Sequence, residues 1–223
     1  ALYGLPEDGA FIRSIVSTNM ADAIAKYYGI QLVEVLTGFK FIGQKILEFE
    51  KTGKGTYLFG MEESYGCLTG TYARDKDAPV AVMMLCEVAA YYKLQGKTLW
   101  DAMVELYEKY GYYKEDLATV TLKGIDGSQK ITAMMNAFRE NPPKELGGFK
   151  VLACRDYKSD CRRDMITGET TSNVLYYELE NNAWCCVRPS GTEPKIKYYF
   201  GVKGENFKDA EEKLEALKKA MTE

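Results

Sequence analysis

The sequence of 223 residues contains no histidine, and its six cysteines include no C-x-x-C pair. Without histidine, the Ser-His-Asp and Cys-His arrangements of nucleophilic catalysis are excluded. Zinc sites built from paired cysteines and histidines are not predicted either. The phosphate-binding fingerprints G-x-G-x-x-G and G-x-x-x-x-G-K-[ST] are also missing, which argues against a nucleotide-binding α/β protein.

An excess of positive charge and long apolar runs are missing as well. The 29 basic and 32 acidic residues leave a net charge of −3, whereas binding to nucleic acid requires a broad basic surface. No apolar run approaches the ~20 residues of a membrane span, and the first residues lack the layout of a signal peptide. We therefore expect a cytoplasmic protein with reduced thiols and with neither nucleic-acid nor membrane partners.

Hydrophobic periodicity divides the chain into two parts of roughly 100 residues each. Up to residue 110, strand-like runs alternate with helical patterns, which predicts an α/β domain with a mainly parallel sheet. A strand, a helix, several strands and a final helix follow, which is the order of an α+β domain. We place the domains at residues 1–113 and 117–223 and interpret Lys114–Asp116 as a polar hinge. Residues 160–171 are polar and predict a mobile loop.

The most informative segment is R-P-S-G-T-E-P, residues 188–194, between strand-like runs at 183–187 and 195–200. Arg188 offers a planar fork of donors that can bind two phosphate oxygens. Gly191 permits a positive φ, so successive backbone N–H groups can turn toward one anion. Lys195 and Lys197 share one face of the following strand, because side chains alternate along it. Segments of this composition are often plain turns, but the neighbouring cations favour a phosphate site.

This segment resembles the phosphate-binding loop of the α-D-phosphohexomutases. These are the phosphoglucomutase and phosphomannomutase enzymes, which move a phosphate between C1 and C6 of a hexose. The resemblance implies that Arg188, Ser190, Gly191 and Thr192 bind the substrate phosphate, assisted by Lys197. It also implies an α/β/α domain three, followed by a fourth domain similar to the TATA-binding protein.

Three upstream segments resemble further elements of the same family, in the same order along the chain. One of them is R-D-K-D at residues 74–77, where the family places a lysine that faces the ligand, matched here by Lys76. G-M-E-E-S at residues 60–64 is similar to the sugar-recognition loop, and T-G-F-K at residues 37–40 is similar to an element that borders the active site. In extended backbone, Glu62 and Ser64 would point one way and Glu63 the other. Lys40 could act as an auxiliary acid or base if its pKa is lowered. The implied sugar contacts are Thr37, Gly38, Lys40, Glu62, Ser64 and Lys76.

Two parts of the family pattern are missing from the sequence: the serine loop of domain one and the Asp-Gly-Asp-Gly-Asp-Arg metal loop of domain two. Asp126-Gly127 is the nearest candidate for the latter, and we interpret it as a turn. The chain thus resembles the C-terminal half of a mutase, domains three and four.

The resemblance implies that domains one and two of the same polypeptide carry the phosphoserine and Mg²⁺. This chain is then expected to hold neither a catalytic serine nor a metal ligand, and to be inactive alone. Its ligands would be hexose phosphates and hexose 1,6-bisphosphate. The alternative is a stand-alone, non-catalytic protein that binds phosphosugars. The preference among glucose, mannose and pentose phosphates stays open.

Overall fold

The computed structural model describes residues 4–64, 66–122, 126–159, 171–191 and 193–222. The chain forms two compact units, and the chain passes from the first to the second between Gly111 and Tyr112. Thr192 and most of the segment predicted as a mobile loop, residues 160–170, lie outside the described residues. None of the helices that the structure describes could span a lipid bilayer.

The first unit is built on a four-stranded sheet in the order β2-β1-β3-β4. Strand β1 is parallel to β2 and to β3, and β4 is antiparallel to β3. The predicted α/β class is confirmed by this sheet. The elements are β1 (Gly9–Ser14), α1 (Met20–Tyr28), β2 (Gln31–Val35), α2 (Phe39–Thr52), β3 (Thr56–Glu62), β4 (Gly66–Thr69), α3 (Ala78–Lys93) and α4 (Leu99–Tyr110).

Local sequence signals set most of these boundaries. Helix α1 ends at Gly29, whose φ of 67° suits glycine. Helix α4 begins with a reciprocal capping box between Thr98 and Asp101. Asn19 occupies the N-cap position of α1. Strand β4 was not predicted, since it has only four residues and follows a tight turn.

Helix α3 is apolar on most of its surface and yet has no buried residue. Val82 and Leu85 are 62% and 56% exposed, and Tyr91 is 63% exposed. Trp100 of α4 is also 63% exposed, whereas Tyr110 at the end of α4 is buried.

The second unit has six strands in the order β5-β10-β9-β8-β7-β6. All described pairings in it are antiparallel, in agreement with the predicted α+β order. The elements are β5 (Tyr112–Thr121), α5 (Gly127–Glu140), β6 (Glu145–Leu146), β7 (Phe149–Asp156), β8 (Leu175–Leu179), β9 (Trp184–Pro189), β10 (Lys195–Gly204) and α6 (Phe207–Thr222).

The predicted hinge at Lys114–Asp116 is wrong, because these residues lie within β5. Lys114 pairs with Val202 and Asp116 with Phe200 in a continuous ladder against β10. Their side chains are also tied to helix α6, since Asp116 accepts a hydrogen bond of 2.7 Å from the Lys218 ammonium. A polar composition was mistaken for a linker, although an edge strand also carries polar side chains on its open face.

The sheet of the second unit has two distinct faces. One face packs against the helices through a core that includes Val187, Ile196, Tyr198 and Leu217. Because side chains alternate along a strand, Arg188 and Lys197 belong to the opposite face. The division matters for function, since it separates the packing residues from the cations that precede and follow the R-P-S-G-T-E-P loop.

Candidate functional site

The R-P-S-G-T-E-P loop connects β9 to β10 as a tight hairpin. The Ser190 N–H donates to the Lys195 carbonyl at 2.8 Å, and the Lys195 N–H donates to the Glu193 carbonyl at 2.7 Å. Arg188 lies at the end of β9, half-buried, while Gly191 is exposed at the tip. Ser190 and Gly191 lie on the inter-strand loop as predicted, whereas Arg188 lies within β9 and Gly191 does not adopt a positive φ.

Two cations lie directly opposite each other beside this loop. Arg188 of β9 and Lys197 of β10 are register partners, so their side chains emerge side by side on the same face of the sheet. Within the described residues neither cation has an ion-pair or hydrogen-bond partner, whereas Lys195 is paired with Glu193 at 3.0 Å. Like charges directly opposite are unfavourable, and a bound anion would relieve that repulsion.

A cleft of about 460 Å³ adjoins the loop. One wall is formed by loop residues that include Ser190 and Gly191, and the other by Ser128 and Thr132 of α5. Its volume falls in the range of small-molecule sites. A second cavity, of about 440 Å³, runs along β2 of the first unit and contains none of the predicted sugar contacts.

In the first unit, Glu62 and Lys76 form an ion pair with an N–O distance of 2.8 Å. Glu62 ends β3 and is only 7% exposed, while Lys76 is 38% exposed. The hydrogen bond to Glu62 raises the pKa of Lys76. Gly66 makes the contact possible, because a Cβ at that position would lie 2.0 Å from the Lys76 Cδ. The structure thus brings two of the predicted sugar contacts together.

Ser64 is not aligned with Glu62 as predicted. The extended backbone ends at Glu62, and residues 63 and 64 form a turn between β3 and β4. The alternation argument fails there, because it holds only along a strand. Instead, Ser64 Oγ donates to Glu63 at 3.4 Å, and Glu63 also accepts a hydrogen bond of 2.7 Å from the buried Ser14. Glu63 thus anchors the turn to the end of β1.

The T-G-F-K element forms the start of α2. Gly38 precedes the first helical residue with a φ of 115°, a conformation that favours glycine. Thr37 is half-buried. Lys40 is exposed, and its ammonium lies 4.9 Å from the Phe41 ring centroid. This element follows β2, and Glu62 ends β3. Strands β2 and β3 both run parallel to β1, one on each side. The predicted residues therefore lie at the carboxyl ends of parallel strands, where ligands bind in such sheets.

Comparison with known proteins shows which proteins this chain is similar to. Residues 2–110 match the model of phosphoglucomutase/phosphomannomutase, alpha/beta/alpha domain III. The phosphoglucomutase of Staphylococcus aureus (strain bovine RF122 / ET3-1) is 40% identical over 212 residues, which cover 92% of this chain and 38% of that protein. The phosphoglucomutase of strain USA300 is 39% identical over the same share of each chain.

Residues 2–110 thus belong to the phosphoglucomutase/phosphomannomutase family, and the chain as a whole is similar to its members.

Solved structures of this family share the fold across both units. Parafusin, a phosphoglucomutase from Paramecium in its open form, matches 95% of this chain and 36% of its own at a TM-score of 0.66 and 19% identity. A phosphoglucomutase/phosphomannomutase family protein from Burkholderia thailandensis matches 96% of this chain and 38% of its own, with a TM-score of 0.54 and 15% identity. The chain spans about 38% of the length of the curated relatives that it matches.

A buried arginine of this mutase-family chain was missed by sequence reasoning. Arg13, the last residue but one of β1, is 1% exposed. Its guanidinium is 2.9 Å from a Glu34 carboxylate oxygen and also donates to Asp22 at 2.9 Å and to Asn19 at 3.0 Å. Burial raises the pKa of Asp22, although the Arg13 charge opposes that shift. A charged residue within the run A-F-I-R-S-I-V is the signal that could have revealed this network.

Arg13 connects the core of the first unit to the candidate site. The next residue, Ser14, accepts a hydrogen bond from the Arg13 guanidinium at its carbonyl (3.0 Å) and donates its own hydroxyl to Glu63. Removal of one partner of a buried charge network is costly, because it leaves another charge unpaired. The network therefore holds the end of β1 and, through it, the turn that carries Ser64.

No group of three or more acidic, cysteine or histidine side chains suited to a metal ion occurs in the part of the chain that the structure describes. Cys185 and Cys186, the cysteines next to the R-P-S-G-T-E-P loop, are both fully buried. Burial raises the pKa of the Cys185 thiol well above its usual value, which makes it a poor nucleophile. Both thiols are packing residues of β9.

Proposed function

We propose that this chain supplies the hexose-phosphate-binding half, domains three and four, of a mutase that interconverts hexose 1-phosphate and hexose 6-phosphate. The observation that carries the proposal is the pair of neighbouring cations, Arg188 and Lys197, beside the R-P-S-G-T-E-P loop. The two positive charges repel each other when no ligand is bound, and a phosphate between them would attract both. This arrangement is therefore suited to binding an anion. Membership of the family supports the reaction class.

The proposed phosphate site consists of Arg188, Ser190, Gly191 and Thr192, with Lys197 alongside. The Arg188 guanidinium binds two phosphate oxygens in a fork. Ser190 contributes its hydroxyl, and the exposed Gly191 lets the backbone approach the anion closely. This part of the protein holds the phosphate that does not react. Binding energy from that remote phosphate positions the reacting end of the sugar.

The proposed sugar site consists of Thr37, Gly38, Lys40, Glu62, Ser64 and Lys76. The Glu62 carboxylate can accept hydrogen bonds from two adjacent sugar hydroxyls. Lys76, held in its charged form by Glu62, donates to a third oxygen. Polar contacts of this kind suit a reaction in which one site must accept the hexose in two orientations. Lys40 is proposed as an auxiliary donor, acid or base at the sugar.

The chemical steps are proposed to use domains one and two of the same polypeptide. There a phosphoserine gives its phosphate to the free hydroxyl of the hexose phosphate, and the resulting hexose 1,6-bisphosphate returns its other phosphate to the serine. We propose that the magnesium ion of the reaction is bound by those domains. The proposed domains correspond to the two units, with the boundary between Gly111 and Tyr112, and the proposed location is the cytoplasm.

Titration of the isotope-labelled chain with glucose 1-phosphate, followed by amide NMR, tests the proposal. We expect shifts at residues 188–191 and at residues 60–64, and we expect Lys197→Ala to weaken binding. Lys208→Ala is the matched control, since Lys208 is 85% exposed on α6. The chain alone should show no mutase turnover even with glucose 1,6-bisphosphate supplied. Shifts that avoid both loops, or turnover by the chain itself, would contradict the proposal.

A further inference from the structure

A threonine lies in the same row of the sheet as the two cations of the proposed phosphate site. Lys197 of β10 has two register partners: Arg188 on β9 and Thr119 on β5. Neighbouring strands are ~4.8 Å apart, so the three residues form a short row across the sheet with Lys197 at its centre. This row reaches the edge of the sheet, because β5 is the outermost strand.

The orientation of Thr119 follows from its neighbours. Ala118 and Val120 pack against the core beneath the helices, so Thr119 points to the opposite face, the one shared by Arg188 and Lys197. Thr119 is exposed. Within the described part of the chain its hydroxyl has no hydrogen-bond partner. An uncommitted hydroxyl thus lies directly beside an uncommitted ammonium.

We propose that Thr119 is a further phosphate-binding residue and completes the site from the side opposite Arg188. A phosphate monoester held over Lys197 is reached by the Arg188 fork from β9 and by the Thr119 hydroxyl from β5. The hydroxyl donates to a phosphate oxygen, and a hydrogen bond to a charged acceptor is stronger than a neutral one. This inference rests on the proposed function and extends its phosphate site beyond the loop to the edge strand.

The next row of the sheet supplies an internal comparison. Thr121 pairs with Lys195 in the same way that Thr119 pairs with Lys197. Thr121 is also exposed and belongs to the same face. However, Lys195 is already bound to the Glu193 carboxylate, which lowers its attraction for an anion. The phosphate should therefore lie over the row of Thr119 and leave the row of Thr121 unoccupied.

The test compares four variants of the full chain: Thr119→Val, Thr119→Ser, Thr121→Val and Arg188→Ala. Each is titrated with inorganic phosphate and with glucose 1-phosphate, and binding is followed by amide NMR. Thermal unfolding establishes that each variant is folded. Valine has the shape of threonine without the hydroxyl, whereas serine keeps the hydroxyl.

We expect Thr119→Val to weaken binding of both ligands about tenfold, which corresponds to ~1.4 kcal/mol. Thr119→Ser should bind within about twofold of the wild type, and Thr121→Val should be unchanged. Equal affinities of Thr119→Val and wild type would overturn the inference and leave the proposed function intact, provided that Arg188→Ala weakens binding. If the wild-type chain binds neither ligand, both the inference and the proposed function fail.

Discussion

Replacement of Arg188 by alanine should separate ligand binding from stability. Arg188 is half-buried at the end of β9 and has no ion-pair or hydrogen-bond partner within the described residues. Its register partner is another cation, Lys197. A side chain that only stabilised the fold would be expected to contact a carboxylate or a carbonyl instead. The arginine is thus expected to contribute to ligand binding and little to the fold.

The size of the effect follows from the contact that is lost. A hydrogen-bonded contact to a charged group contributes about 1.5–3 kcal/mol, so Arg188→Ala should raise the dissociation constant for glucose 1-phosphate roughly 10- to 150-fold. The free energy of unfolding should stay the same or rise by a few tenths of a kcal/mol, because a like-charge pair is removed. Arg188→Lys keeps the charge but loses the fork, so its affinity should be intermediate.

Two measurements on the same samples check this prediction. Isothermal titration with glucose 1-phosphate gives the dissociation constant, and urea denaturation gives the free energy of unfolding. The reasoning is refuted if Arg188→Ala lowers the free energy of unfolding by more than ~1 kcal/mol while the dissociation constant is unchanged. Arg188 would then be a structural residue of the hairpin.

Three further predictions concern the first unit. Glu62 raises the pKa of Lys76, so the ion pair stabilises the fold fully below the ordinary lysine pKa of ~10.5, and its contribution is lost as the pH rises through the raised pKa. The difference in unfolding free energy between wild type and Lys76→Met should therefore shrink over that pH range. A difference that stays constant with pH would contradict the pairing. Gly66→Ala should displace the Lys76 side chain, because the new methyl group would overlap its Cδ and Cβ, and the Lys76 pKa measured by NMR should return toward its usual value. Leu85→Lys on α3 should change the unfolding free energy by less than ~0.5 kcal/mol, since Leu85 is 56% exposed; a large loss in urea denaturation would show that α3 is covered in solution.

The type and order of most elements could be predicted from the sequence, because they depend on local signals. Helix α4 is an example, since the Thr98–Asp101 capping box marks its start and Gly111 follows its last residue. The prediction of a hinge at Lys114–Asp116 was wrong, because local signals do not decide that question. Whether a polar segment is a linker or an edge strand depends on a partner 80 or more residues away, here β10.

The candidate site shows the same division. The sequence by itself determined which residue types follow which strands: the arginine before the loop, the glutamate at the end of β3 and Gly38 at the start of α2. These features are local, so the motifs and the ends of the strands could be recognised from the sequence alone. The turn at Ser64 was not recognised, because alternation was extended past the end of the strand.

Only the tertiary structure decided which of these side chains meet. Glu62 and Lys76 pair across a turn, a short strand and a loop, and Thr119 reaches Lys197 across 78 positions of the sequence through the register of β5 on β10. The buried Arg13 acquires its acidic partners only when α1 and β2 fold onto β1. Register and packing are long-range properties, fixed by the burial of whole faces rather than by any one segment. For that reason the R-P-S-G-T-E-P loop could be predicted as a phosphate site from the sequence, whereas only the register of the sheet brings Thr119 and Lys197 beside Arg188.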